Sequence, residues 1–396
     1  MKLLYRIIFL VGFLAILGFV IAYARGYRLD LEKRIMTSTG ILAISSYPKA
    51  AKIYINNEFK GVTDQNIVLP PGNYQVDIKK DGYTNFSKKI SLKGELVITL
   101  EPILFPINPA LSPLTNLGII KAIPIDGTDR VIIFVDKGID DLENKNGIYL
   151  FEGDRRPLAF FQSLSKIILK INLPSDIDFT KVNITVSPDT KEAIFEFDKA
   201  AYLLSLEEEN LTPYDVTSSK STLINAWEEK KIKDNQKVLE TFPIEFANIA
   251  SESVKIISFA PNDTKILYQA TKSFNLPLII NPPVIAGNQS QEERSVKKSK
   301  VYVYDRKEDK NYLIGTWNLE LGVSSIQWYF DSKHLLINRD KKIAVADYDG
   351  TNEQIVYSGP FENNFFSSTN DGKIIVLINL NSQVNELPDL YLVGIR

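Results

Sequence analysis

The 396-residue chain contains no cysteine and a single histidine, His334. The first absence excludes disulfides, thiolate metal sites and cysteine nucleophiles, and the second excludes multi-histidine metal centres. Neither sign of charge predominates. Forty-six Lys+Arg against 48 Asp+Glu leave a net charge of -2, so no overall field attracts phosphates and no nucleic-acid partner is expected. The sequence lacks G-x-S-x-G and any glycine-rich phosphate cradle. S-x-x-K occurs from Ser163 to Lys166 without a second supporting motif. No cofactor is implied. What is present is an ordinary globular composition, 44% hydrophobic and 24% charged, over a length that favours two or more folded units.

A long apolar run stands at the start. Ile7 to Ala24 are 18 uncharged residues, which span roughly 27 Å as a helix, close to the ~30 Å hydrocarbon core of a bilayer. Tyr5, Tyr23 and Tyr27 fit interfacial anchors. The reading is a single-pass signal anchor: residues 1–6 a short cytoplasmic N-terminus, 7–24 a transmembrane helix in the lipid bilayer, and 25–40 a juxtamembrane linker. A cleaved signal peptide is the alternative, because Ala22-Tyr23-Ala24 has the small-x-small form of a cleavage site, although the apolar region exceeds a usual signal core. Charge alone does not orient the segment, since Lys2 and Arg6 on one flank face Arg25, Arg28, Lys33 and Arg34 on the other.

From residue 41 to 101 apolar and polar residues alternate. Tyr74, Val76 and Ile78 fall on one face of a strand and Gln75, Asp77 and Lys79 on the other. NNEFKG supplies a hairpin turn, PPG at 70–72 punctuates the chain, and Pro102 closes the unit. The expectation is a small antiparallel β-domain. KIYINNEFKG and LPPGNYQVDIKKDGY, with their spacing, resemble the PEGA domain, a small bacterial β-domain; Pro48-Lys49-Ala50-Ala51 stands where the family has Pro-Glu-Gly-Ala. The resemblance implies a non-catalytic spacer or adhesion-like module of envelope and surface proteins, with Tyr83 as a packing residue. It also implies that the bulk of the chain lies outside the cytoplasmic membrane.

After a Pro-rich linker at 102–116, the remainder (117–396) repeats a strand, a turn and a strand. VSPDTKEAIFEF (186–197), FAPNDTKILYQA (259–270), WYFDSKHLLINR (328–339) and SSTNDGKIIVLI (367–378) line up, with IDGTDRVIIFVD (125–136) as a weaker fifth. Aligned on Lys191, Lys265, Lys333 and Lys373, the intervals are 74, 68 and 40 residues, the last close to the ~40-residue period of a propeller blade. Insertions near 207–250 and 271–299 account for the longer intervals. The first contains a polar helical stretch and the second a Pro/Gln/Ser-rich loop. The repeat resembles that of the TolB-like, WD40-like β-propeller, which implies five to seven blades. Asp189, Asp263, Asp331 and Asp371 recur at the turn, where an Asp hydrogen-bonds its own backbone, and this role is expected in preference to a metal or catalytic ring.

The fold class is therefore mainly β: an N-terminal transmembrane helix, a small antiparallel β-domain and a propeller. The expected function is that of a membrane-anchored, extracytoplasmic, non-enzymatic scaffold whose partner is an envelope protein or a cell-wall polymer. Trp227, Ser290, Gln291 and Arg294 in the two insertions are the candidate contacts. The alternative is a propeller enzyme of glycan-hydrolase type, which needs two carboxyl groups about 5 to 9.5 Å apart in its channel. His334 is expected as half-buried packing. The acidic stretch 136–147 reads as a solvated loop; it departs from the D-x-[DN]-x-[DN]-G order of a calcium loop, leaving weak calcium binding as the lesser reading.

Overall fold

Strand is the main regular structure of the chain, which divides into two units: residues 1–106 with 280–291, and residues 107–279 with 292–396. The computed structural model describes residues 2–396 except 25–26, 31–34, 138–144, 154–162, 286, 316–325, 363, 381 and 384–385. Most of the acidic stretch 136–147 lies outside the described residues.

The first unit begins with helix α1 (Lys2–Ala24). Leu4–Tyr23 is long and apolar enough to cross a membrane and none of it is buried against the chain. Strands β1 (Tyr27–Asp30) and β2 (Ile35–Ser38) pair antiparallel in the stretch expected as a linker. Seven strands follow: β3 (Gly40–Ile44), β4 (Lys52–Ile55), β5 (Glu58–Val62), β6 (Gln65–Leu69), β7 (Gly72–Lys79), β8 (Phe86–Leu92) and β9 (Val97–Leu100). They form two sheets, ordered β6-β3-β9 and β5-β4-β7-β8, whose facing apolar residues make one core that includes Leu42, Ile44, Ile53, Ile55, Val76 and Ile78. The β4–β5 hairpin turns at Asn56 and Asn57, both with positive φ (50° and 67°), the conformation of a primed two-residue turn. One pairing departs from the antiparallel expectation: β9 runs parallel to β3, with Ile41 opposite Val97. The chain crosses from the sheet of β8 to that of β9, and a crossover, unlike a tight hairpin, allows a parallel approach. Tyr83 packs against the core, as expected of it. On edge strand β8 the side-chain amide of Gln289 accepts from the Ser91 N–H (2.5 Å) and donates to its carbonyl (3.1 Å), so residues from the 271–299 insertion finish this edge.

The second unit opens with β10 (Ala110–Pro113). Blade 1 comprises β11 (Ile119–Pro124), β12 (Arg130–Val135), β13 (Gly147–Glu152) and β14 (Ser163–Leu169), and blade 2 comprises β15 (Asn183–Val186), β16 (Glu192–Glu196), β17 (Ala201–Ser205) and β18 (Tyr214–Asp215). Helices α2 (Lys220–Leu239) and α3 (Ile244–Ser253) precede blade 3. That blade is built from β19 (Val254–Phe259), β20 (Lys265–Ala270), β23 (Val301–Asp305) and β24 (Lys310–Gly315), with a small β21 (Phe274–Asn275) and β22 (Ser295–Val296) pair inserted. Blade 4 comprises β25 (Ile326–Trp328), β26 (His334–Arg339), β27 (Lys342–Asp347) and β28 (Gln354–Tyr357). Blade 5 takes β29 (Phe366–Ser368), β30 (Ile374–Ile378) and β31 (Asp389–Gly394), and its fourth strand is β10, paired antiparallel with β31. Among the described residues, five four-stranded antiparallel sheets make a propeller at the low end of the expected five to seven blades. The last blade joins both ends of the unit. Its outer strand lies in the stretch read as a Pro-rich linker.

Apolar residues fill the seams. Ile132, Phe134 and Ile148 of blade 1 share a core with Ala193, Phe195 and Leu204 of blade 2; Leu267 and Val303 of blade 3 pack with Leu335 and Ile337 of blade 4; Ile375 and Leu390 of blade 5 pack with Val131 and Ile133 of blade 1. The helical insertion is longer than the polar stretch suggested. Helix α2 lays Leu223, Ile224 and Trp227 on blade 2, while α3 buries Phe246 against blade 3, where its ring stacks on Tyr304 at 3.8 Å and 6°.

Candidate functional site

Each repeat turns tightly before its second strand. The N–H of Thr190, Asp263, Ser332 and Gly372 donates to the carbonyl of Ser187, Ala260, Tyr329 and Thr369 respectively, and all four donors have positive φ (60°, 55°, 59° and 83°). The residue before each donor supplies the Asx contact. Asp189 accepts from the Lys191 N–H (3.3 Å) and the Ser187 hydroxyl (2.7 Å), Asp331 from the N–H groups of Lys333 (2.8 Å) and His334 (3.1 Å), and Asp371 from the Thr369 hydroxyl. In the third blade this place is held by Asn262, which accepts from the Thr264 N–H at 3.1 Å, while Asp263 occupies the left-handed position itself. The lysine alignment is therefore one residue out of register at Lys265. The Ser187, Ala260 and Tyr329 N–H groups bond to the carbonyls of Glu192, Lys265 and His334, which makes these three equivalent. An Asx residue caps its turn through either chemistry, so Asn and Asp were interchangeable and the lysines misled.

The corrected register uncovers a recurring ion pair that the sequence reading missed. The first residue of the second strand is basic in blades 1, 3 and 4, and it stands opposite an acid on the third strand: Arg130 with Glu152 (3.2 Å), Lys265 with Asp305 (3.5 Å) and His334 with Asp347 (3.3 Å). Lys265 also lies 4.5 Å from the Tyr348 ring centroid. Arg130 extends to the neighbouring blade, donating to the carbonyls of Thr190 (2.7 Å) and Leu206 (2.9 Å). The cue in the sequence is a basic residue directly ahead of three apolar ones, as in RVII, KILY and HLLI.

His334 is more than the half-buried packing residue expected. It is buried, with Nδ1 2.6 Å from Asp331 Oδ2 and Nε2 3.3 Å from Asp347 Oδ1. Burial alone would lower its pKa, but the two carboxylates overcome that and push it up to about 9. Burial likewise acts to raise the Asp331 pKa, and the imidazolium outweighs it, holding the carboxyl below its usual range. These groups are enclosed within a blade and form an ion cluster that orders strands.

The first strands of the five blades, β11, β15, β19, β25 and β29, contain neither Asp nor Glu. The acids of the turns stand at strand ends and hydrogen-bond within those turns. Among the described residues no group of three or more His, Asp or Glu side chains could hold a metal ion.

The four candidate contact residues occupy different settings. Trp227 is half-buried against Ile194, Ala201 and Val216 of blade 2. Arg294 braces the base of the 271–299 insertion: it pairs with Glu292 (2.9 Å) and Asp309 (3.3 Å) and donates to the carbonyls of Pro277 and Asp309. Asp309, itself buried, also accepts from Tyr304 Oη (2.9 Å) and the Ile279 N–H (2.7 Å). Ser290 is half-buried and Gln291 is exposed. The first insertion instead exposes Leu211 (73%), Tyr214 (68%), Ile232 (64%) and Ile244 (65%).

Residues 39–103 match the PEGA domain, two residues wider at each end than the sequence reading placed it. This stretch thus carries the PEGA-domain pattern, and the β-propeller follows it in the chain. No curated protein matches it. Among solved structures it is similar to a TolB-type protein from Agrobacterium tumefaciens (14% identity, 63% of this chain and 65% of that one, TM-score 0.20). It is also similar to the WD40 domain of SCAP from fission yeast (10% identity, 87% and 70%, TM-score 0.16) and to an auxiliary nutrient binding protein from Bacteroides thetaiotaomicron (9% identity, 83% and 74%, TM-score 0.19). The chain spans about two thirds of the length of the TolB-type protein. At these TM-scores the five-blade assignment rests on the strand pairing above.

Proposed function

We propose that this chain is a membrane-anchored, extracytoplasmic protein without enzymatic activity, in which the PEGA unit serves as a spacer and the propeller as a binding platform for an envelope protein or cell-wall polymer. The observation that carries the reading is helix α1, whose apolar side chains from Leu4 to Tyr23 find no place in either core. A bilayer satisfies such a surface; water does not. The exposed Leu211, Tyr214, Ile232 and Ile244, all within residues 207–250, support the binding role as large apolar side chains left open to a partner; Ile171 and Leu380 are exposed elsewhere in the propeller. The first four, with Gln291, are the contact positions favoured here.

Alkaline extraction of membranes from expressing cells tests the anchor. The full-length chain should stay in the pellet and retain residues 7–24 by N-terminal peptide mass. A soluble product beginning after Ala24 would overturn the anchor and make the segment a cleaved signal peptide.

A further inference from the structure

Strand β8 is an outer strand of the β5-β4-β7-β8 sheet. On an outer strand every second residue turns its N–H and C=O away from the neighbouring strand. Ser91 is such a residue. It stands opposite Asn73 of β7, and both of its outward groups meet the side chain of Gln289: Oε1 accepts the N–H (2.5 Å) and Nε2 donates to the carbonyl (3.1 Å). In an antiparallel ladder, this reciprocal pair of bonds comes from the backbone of the residue opposite. Here one primary amide, which carries an acceptor and a donor side by side, supplies both. Gln289 therefore does for Ser91 what one residue of a further strand would do.

The residues around Gln289 are held as well. Asn288 Oδ1 accepts the Ser290 N–H at 3.0 Å, a short turn with Gln289 at its centre. Further along, the propeller fixes Glu293 through the buried Asn311 of β24: the Glu293 N–H donates to the Asn311 carbonyl (2.7 Å), and Asn311 Nδ2 donates to the Glu293 carbonyl (2.7 Å). Exposed Gln291 lies two residues from each of these fixed points. Glu293 keeps its bonds whatever residue 289 is, so the Gln289 contact decides whether Gln291 is held from one side or from both.

We infer that Gln289 is a latch: a positioning residue that takes the place of a strand on β8 and so holds residues 287–291, with Gln291 among them, in one conformation. The latch deepens the binding reading, in which Gln291 is a contact position, by naming what presents that side chain. An ordered contact residue loses less conformational entropy on binding than a free one. The latch itself is a statement about the segment and about Ser91, so it can be tested without a partner.

The cysteine-free chain permits that test. A nitroxide is attached to Gln291→Cys in the full chain, purified in detergent, and its spectrum is recorded with Gln289 intact, with Gln289→Ala and with Gln289→Glu. Hydrogen exchange of the Ser91 N–H is followed in the same proteins. Gln289→Ala should sharpen the spectrum towards a mobile label and speed Ser91 exchange several-fold. Gln289→Glu should also mobilise the label, because it keeps the acceptor but sets a carboxylate against the Ser91 carbonyl. Unchanged exchange across β4 and β7 shows that the unit stays folded in each variant. An unchanged spectrum or unchanged Ser91 exchange in Gln289→Ala would overturn the latch, since one contact is held to set both. Labelling of the same Gln291→Cys chain in intact cells with an impermeant maleimide reads the extracytoplasmic placement separately, so either idea can fail while the other stands.

Discussion

Asp331 holds His334 at two points: its Oδ1 accepts the His334 backbone N–H at 3.1 Å, and its Oδ2 lies 2.6 Å from Nδ1. The turn between the first and second strands of blade 4 and the ion cluster inside the blade are thereby one structure, since the carboxylate that caps the turn is also a counter-ion of the imidazolium. The pair predicts how stability should depend on pH. The folded-state pKa of His334, about 9, lies above the ordinary imidazole value of about 6.5, so its contribution is complete below about pH 6.5 and is lost as pH rises through about 9. A shift of this size corresponds to a few kcal/mol. Urea midpoints of the propeller transition should fall between pH 7 and 10 in the wild type and fall less in His334→Gln, after allowing for the lower starting stability of the variant.

Lys265 tests the corrected register. Removing one member of a buried pair leaves an uncompensated charge, which costs roughly 3 kcal/mol or more. Lys265→Met should therefore strongly destabilise the propeller, because Asp305 stays buried. Lys191→Met should change stability by less than about 0.5 kcal/mol, since Lys191 is exposed and only loosely paired with Glu207 at 3.6 Å. Similar midpoints for the two variants would contradict the assignment.

Asp389 fastens the closure of the propeller. Its Oδ1 accepts from Thr115 Oγ1 (2.9 Å) and from the N–H groups of Leu117 (2.7 Å) and Gly118 (3.3 Å), tying the first residues of the unit to its last strand. Asp389→Ala leaves these donors unsatisfied at a cost of about 2–3 kcal/mol. Hydrogen exchange should accelerate first at Ala110–Pro113 and Asp389–Gly394, with blade 2 slower to respond.

Phe246 anchors the helical insertion. Its stacking on Tyr304 and complete burial place Phe246→Ala in the range of about 3–5 kcal/mol. Ile244→Ala, two residues earlier and 65% exposed, should be near neutral for stability. If Ile244 lies in a partner surface, that variant loses binding while its unfolding midpoint stays put.

The strands were the most legible part of the chain. Alternation in YQVDIK placed Val76 and Ile78 in the core and Asp77 outward, because one buried face leaves a period-two signature. The repeat was legible through its turns, where a tight left-handed step needs Gly, Asn, Asp or a neighbour they support. Parallel pairing of β3 with β9 and the use of β10 in blade 5 left no such mark, since both join residues far apart in sequence. Helix α3 was hidden by its composition: IEFANIASES buries Phe246 and Ala250 yet mixes in polar residues. Of the candidate contacts, Trp227 and Arg294 stand out in the sequence only by lying in the two insertions, and a large ring and a long cation there are as useful inside a fold as on its surface: one packs on blade 2 while the other braces a loop.

The central claim, that the propeller works outside the cytoplasmic membrane, is tested most directly by labelling Gln291→Cys, an exposed position in a chain with no other thiol. Intact cells are treated with a membrane-impermeant maleimide. Labelling before lysis, with a cytoplasmic control protein unreacted, is the expected result. Labelling only after lysis, while a surface control reacts normally, would place the propeller in the cytoplasm and contradict the account.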